Sequence, residues 1–307
     1  MSSASDKAIG IDIGGTSIAV GAVNKSGDIE AHKEFPTQPA RGFEYAVARI
    51  DEAIQQVLVQ ANWSLAEVAA IGVGCTGPVN RRQGTIHNPY TLPSWENKNI
   101  VAALRGATGR NVHLENDADA ALLGEHVAGA GKGVEDMVML TLGTGVGGGV
   151  LIQGRLHRGI DGAHPELGHV PVDPDGPDCY CGQKGCLEVM ASGTAITRAA
   201  KSLGLRDSRE VFVQAAKGNH DAREIVHRAG QAINTAVCIL LHTFLPELIV
   251  LGGGVMNQEN ELFVTSTNES IQKATMAPAN RVRVVRAQLG TRAGVVGAAS
   301  LAFDRTP

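Results

Sequence analysis

The sequence predicts an α/β protein built from two similar halves, and three observations carry that expectation. Residues 8–23 (AIGIDIGGTSIAVGAV) read as strand, glycine turn and strand, because Ile18, Val20 and Val23 resume β-rich apolar sequence after Gly14 and Gly15. Residues 137–152 (MVMLTLGTGVGGGVLI) repeat that layout later in the chain. Elsewhere strand patterns alternate with helical ones, the arrangement in which helices pack on sheets.

In chain order, Phe43, Val47, Ile50, Ile54 and Val57 recur at helical spacing and predict a helix over 43–60. VAAIGVG (68–74) reads as a buried strand, and 117–128 as a helix with Asp117 able to cap it. Beyond residue 190 the pattern is mostly helical, with one long run over 221–244 that stops at Pro246. ELIVLGGG (247–254) is a strand running into glycine, and 293–303 is an alanine-rich helix. The two strand–turn–strand units suggest duplicated domains, each turning its glycines toward a common cleft.

With 307 residues, 43% hydrophobic and 19% charged, the chain can bury a large core and is not disordered. A net charge of −4 with no basic cluster excludes a nucleic-acid footprint. The N-terminus, Met1 to Lys7, is short and polar, and no apolar run approaches the ~18 residues of a membrane span. A cytoplasmic protein with no membrane partner is expected.

Gly14 and Gly15 let backbone N–H groups converge on a phosphate, Thr16 adds a hydroxyl, and Asp12 at the strand end can hold Mg²⁺ directly or through water. A plain tight hairpin explains the same glycines. In the second turn Gly143, Gly145 and Gly148 match G-x-G-x-x-G, but a strand follows where the dinucleotide fingerprint needs a helix. Gly131-Lys132 is followed by Gly133, so it is no Walker A loop either. Phosphate binding by paired hairpin turns is the reading that remains.

Asp117 follows the apolar stretch 111–114 at a strand-to-helix junction, where a carboxylate can take a proton from a substrate hydroxyl. Asn116 beside it offers donor and acceptor to a sugar hydroxyl. The competing reading makes Asp117 only a helix cap. Five cysteines are present, and Cys179, Cys181 and Cys186 with His169 form a tetrahedral donor set for structural Zn²⁺. Free thiols or a redox pair are the alternative. Glu166 and Glu188 flank the array and can accept hydrogen bonds from sugar hydroxyls, or are ordinary surface charge.

These residues together resemble the ROK family of sugar kinases over nearly the whole chain. The match rests on IDIGGT (11–16), ENDADAA (115–121), LGTGVGGG (142–149) and ELGH…CYCGQKGCLE (166–188). The resemblance implies two actin-like, ribonuclease H-like α/β domains with ATP and hexose in the cleft between them. The expected division is 1–116 plus 294–307 against 117–293, with the zinc motif in the second. It implies Asp117 as catalytic base toward the 6-hydroxyl of glucose. It implies Asn116, Glu166, His169 and Glu188 as sugar contacts, His169 also binding zinc, with Gly77 and Asn88 completing the pocket. Asp12, Gly14, Gly15 and Thr16, with Gly143, Thr144 and Gly145, would hold phosphate, and Gly253 and Gly254 would lie near the adenosine. Mg²⁺ with ATP and a homodimer or homotetramer are also implied.

The chain departs from the family pattern at two places. Asp119 stands where Asn is common, and His164-Pro165 before Glu166 resembles the fructokinase branch. N-acetylmannosamine, N-acetylglucosamine and fructose are therefore the alternative substrates. A non-catalytic sugar-sensing regulator is the alternative of another class. Its relatives carry a DNA-binding domain in front, whereas here the first turn begins at residue 12.

Overall fold

The computed structural model describes residues 5–256 and 261–303; the first four residues of the polar N-terminal stretch lie outside them. The chain divides into two compact units: Met1–Gly133, Arg158–His164 and Thr291–Pro307 form unit 1, and Val134–His157 with Pro165–Gly290 form unit 2. The chain thus crosses after Gly133 rather than at residue 116, so the helix that begins at Asp117 packs in unit 1.

Unit 1 is built on strands β1 (Lys7–Ile13), β2 (Ser17–Asn24), β3 (Ile29–Pro36), β4 (Val68–Cys75) and β7 (Val112–Asn116) in the order β3-β2-β1-β4-β7. β1, β2 and β3 pair antiparallel, whereas β4 and β7 run parallel to β1. A ribbon of β5 (Val79–Asn80) and β6 (Thr85–Ile86) follows β4. Alternation along the strands sorts their faces. Ile9, Ile11, Ile13, Ile71, Val73 and Leu114 pack with α1 (Phe43–Gln60) and α2 (Ile100–Thr108) in one apolar core. The opposite face carries Gly10, Asp12, Gly72, Gly74 and Glu115, and here α3 (Asp117–Ala128) and α9 (Ala293–Ser300) pack.

That second face is made of glycine. A Cβ at Gly10 would stand 2.0 Å from the Val295 carbonyl oxygen, and one at Gly72 1.7 Å from that of Ala298. Between the helices, a Cβ at Gly297 would lie 1.6 Å from the Ala120 carbonyl. α9 therefore lies with its backbone against sheet and helix. Its alanine-rich sequence is the condition for that approach.

Unit 2 is built on β8 (Met137–Leu142), β9 (Val146–Ile152), β10 (Arg155–Leu156), β11 (Leu248–Gly252) and β12 (Arg283–Arg286) in the order β10-β9-β8-β11-β12. β8, β9 and β10 are antiparallel neighbours, and β11 and β12 run parallel to β8. This repeats the topology of unit 1 and bears out the duplication read from the two glycine turns. Helices α4 (Leu187–Ala191), α5 (Gly193–Ala199), α6 (Ser208–Ala216), α7 (His220–Phe244) and α8 (Glu261–Ile271) complete it. α7 starts at an Asn219 cap and ends at Leu245 in the left-handed region, φ 49°, just before Pro246. β12 was hidden in a stretch expected to be helical; its sequence, RVVR, carries an apolar run of only two residues. No helix of the described residues is long and apolar enough to cross a membrane.

Candidate active site

Strand alternation places Asp12 on the α9 face of the unit 1 sheet. A Cβ at Gly294 would stand 2.2 Å from its Oδ2, so the carboxylate faces the first turn of α9, where a helix favours negative charge. Burial, and then the charges of Asp117 and Glu34, raise Asp12 to about 7. Crowded carboxylates of this kind suit a divalent cation with oxygen ligands, so the chemistry of the site fits Mg²⁺ at Asp12. In the β1–β2 turn Thr37 Oγ1 donates to the Gly14 carbonyl at 2.7 Å, and Thr16 is exposed. Gly15 has a packing reason of its own: a Cβ there would meet Thr91 Cγ2 at 2.3 Å.

The cap of α3 is Asn116, not Asp117. Asn116 Oδ1 accepts from the Ala118 and Asp119 N–H groups at 2.8 and 3.3 Å. Asp117 is thereby released from the structural role that its position suggested. Its Oδ1 accepts from Ala118 N–H at 2.9 Å. The carboxylate is half-buried, and burial lifts it to about 6 although the Ala118 N–H and His164 pull it down. A group titrating there can both accept a proton near neutrality and release it again. Gly77 is needed beside it, since a Cβ would lie 2.6 Å from Asn116 Nδ2. Asn88 is 1% exposed. Its Oδ1 accepts from Tyr90 and Thr91 N–H and its Nδ2 donates to the Thr76 carbonyl, so it shapes the end of β4.

A charge network that the sequence did not disclose lies behind Asp117. Glu115 and Asp119 are fully buried. Arg158 bridges them, Nη2 to Glu115 Oε2 at 2.7 Å and Nη1 to Asp119 Oδ2 at 2.8 Å. Arg81 Nε reaches Glu115 Oε2 at 2.7 Å, and His164 Nδ1 reaches Asp119 Oδ2 at 2.6 Å. Burial pushes Glu115 up, with Arg158 opposing. A carboxylate on an inward strand position demands a cation, but its identity depends on a segment far away in sequence.

In unit 2 the second glycine turn is held from two sides. Glu188 Oε2 accepts from Val146 N–H at 2.9 Å, and Gly193 N–H donates to the Gly143 carbonyl at 2.7 Å. A Cβ at Gly145 would lie 2.5 Å from Glu188 Oε2. Thr144 is exposed at the tip, matching Thr16 in the first turn. Gly253 has φ 88° and no room for a Cβ against Leu142, whereas Gly254 has nothing within 4 Å and borders open space. Glu166 is exposed at the start of the turn that Leu167 anchors.

The donor atoms of His169, Cys179, Cys181 and Cys186 lie within 4.8 Å of one another. Cys179 Sγ is 3.5 Å from His169 Nδ1, and Cys181 Sγ is 3.6 Å from Cys186 Sγ. The three thiols are unbridged, since Cys179, Cys181 and Cys186 form no disulfide. Tetrahedral Zn²⁺ with Zn–S of about 2.3 Å and Zn–N of about 2.0–2.1 Å separates its donors by roughly 3.6–3.8 Å, so the cluster fits the ion. Gly182 and Gly185, at φ 91° and 56°, turn the chain around it, as their position between the cysteines suggested. His169 Nε2 stands 3.2 Å from the Tyr180 hydroxyl, a neighbour the sequence reading did not anticipate.

The chain is 36% identical to a glucokinase of Thermotoga maritima, over 97% of this chain and 98% of the relative. It is 32% identical to an N-acetylmannosamine kinase of Escherichia coli, over 96% and 97% of the two chains. Its fold matches the crystal structure of a ROK family glucokinase from Streptomyces griseus in complex with glucose and AMPPNP, with TM-score 0.81, 33% identity and coverage of 97% and 99%. Such neighbours have the two-domain actin-like α/β fold, and this chain shares it. The ROK family model itself matches residues 8–305, and the chain belongs to the ROK family.

Proposed function

We propose that this protein is an ATP-dependent hexose kinase that phosphorylates the 6-hydroxyl of glucose. The observation that carries the reading is Asp117: a half-buried carboxylate at the start of α3, spared from capping by Asn116 and lifted to about 6. As the sugar oxygen forms its bond to the γ-phosphorus, Asp117 takes the hydroxyl proton, and ADP leaves with the bridging oxygen. Asn116 orients the sugar from the same end of β7. In unit 2, Glu166 and Glu188 present acceptors to the other hydroxyls, His169 offers its remaining ring N–H, and the Gly143–Gly145 turn offers backbone N–H groups to phosphate.

Asp12 would hold Mg²⁺, which would supply charge neutralisation on the phosphates. His169, Cys179, Cys181 and Cys186 would hold a structural Zn²⁺ that keeps His169 and Glu188 in place. A cytoplasmic homodimer is the assembly we expect. The similarity to an N-acetylmannosamine kinase favours a second reading, the same chemistry on an N-acetylated sugar.

Asp117→Asn tests the reading. Turnover should fall by about 10²–10⁴-fold, while calorimetric binding of glucose stays within a few-fold of the parent protein. Near-parental turnover would remove Asp117 from the chemistry.

A further inference from the structure

The two departures from the family pattern meet in space. Asp119 and His164 stand 45 positions apart in sequence, yet His164 Nδ1 lies 2.6 Å from Asp119 Oδ2. The same oxygen accepts from Arg158 Nη1 at 2.8 Å, and Arg158 also holds Glu115. Arg158 and His164 are the two ends of the only segment that unit 1 takes from the middle of the chain, Arg158–His164. Both side chains are largely buried, 14% and 12% exposed. The segment is thereby fastened at both of its ends to one carboxylate on the first turn of α3, two residues beyond Asp117.

We propose that His164 and Asp119 form a positioning pair for Asp117: with Arg158 they fasten residues 158–164 across the first turn of α3 and hold the His164 ring near the carboxylate that takes the sugar's proton. The proposal rests on Asp117 being that base, and it concerns residues that do not themselves touch the reacting atoms.

Charge counting supports the arrangement. Four carboxylates gather here: Asp12 from β1, Glu115 from β7, and Asp117 and Asp119 from α3. Arg81 and Arg158 supply two cations, and the His164 ring contacts Asp119. The thiol of Cys75 on β4 also faces Asp117 and Asp12, and burial pushes it up, so it remains neutral. Toward Asp117 the two members of the pair act in opposite senses: His164 favours its ionised form and Asp119 opposes it.

The test compares His164→Ala, Asp119→Asn and the double variant with the parent protein, each checked for thermal midpoint and zinc content. In His164→Ala the acid limb of the kcat/KM profile for the sugar should move up by about 1 pH unit, because the pull of His164 that lowers Asp117 is lost. kcat at pH 7 should fall several-fold, with KM for the sugar within twofold. In the double variant the buried carboxylate is gone along with its partner, so the acid limb should return toward its parental position and most of kcat should be regained. A pair that served packing alone would lower the midpoint in His164→Ala and leave the acid limb in place. That outcome would overturn the proposal, as would a double variant no better than His164→Ala. Loss of the reading on Asp117 itself would show separately, as an active Asp117→Asn protein.

Discussion

The two units share one sheet topology, three antiparallel strands followed by two parallel ones, and use it in opposite ways. Unit 1 spends its glycines on packing, where Gly10, Gly72, Gly124 and Gly297 let α9 touch sheet and helix with its backbone. Its charge is gathered behind the strand ends in a network of carboxylates and arginines. Unit 2 keeps Gly254 beside open space and fastens its turn with one carboxylate, Glu188. It replaces a charge network with a cluster of sulfur and imidazole. A duplicated scaffold thus reaches rigidity by two means, close backbone packing in one copy and a metal-sized donor set in the other.

If that contrast is right, zinc removal should act on one unit. Chelation, or Cys186→Ser, should destabilise unit 2 by several kcal/mol, since metal-binding free energy is folding free energy. Amide hydrogen exchange should rise across 166–188 and α4, with α1 and β1 unchanged. Equal loss of protection in both units would break the comparison.

The next largest effect belongs to unit 1. Gly297→Ala places a methyl against a backbone carbonyl that cannot rotate away, and should cost about 3 kcal/mol or more in denaturant unfolding. A smaller cost would mean that α9 slides easily on α3.

Asp12 gives a pH signature. Its carboxyl is raised from 3.8 to about 7 in the folded state, so between those values the folded chain holds a proton that the unfolded chain has lost. Stability from this group therefore falls as pH rises through that window. Asp12→Asn should be more stable than the parent by about 1–3 kcal/mol at pH 8 and no more stable below pH 4. Nucleotide-dependent turnover should fall in the same variant. A gain that persists at low pH would point to something other than ionisation.

The smallest effect is Gly254→Ala, which should change stability by less than about 0.5 kcal/mol, because nothing surrounds the new methyl. KM for ATP should nonetheless rise. If it does not, the open space beside Gly254 is not where the nucleotide lies.

Much of this was legible in the sequence where the signal is local. The helix over 43–60 matches α1 residue for residue, because its apolar spacing is regular and Gly42 precedes it. Both hairpins, the strand of β4 and the helix from Asp117 followed from apolar runs and glycine. The donor set for zinc followed from spacing alone. What stayed hidden was either weakly patterned or distant. β12 holds two valines between two arginines and looks like surface. Asn116, rather than Asp117, caps α3, a choice between adjacent residues that only backbone geometry settles. Arg158 and His164, which hold Glu115 and Asp119, come from a segment some forty residues away, and no pattern within the ENDADAA motif announces them.

The most direct test of the account is an ADP-release assay of the zinc-loaded protein with Mg·ATP against glucose, mannose, fructose, N-acetylglucosamine and N-acetylmannosamine. The account predicts the highest kcat/KM for glucose. A higher value for another of these sugars would contradict the choice of substrate and leave the mechanism standing. Phosphorylation of none of them would contradict the claim that this protein is a hexose kinase.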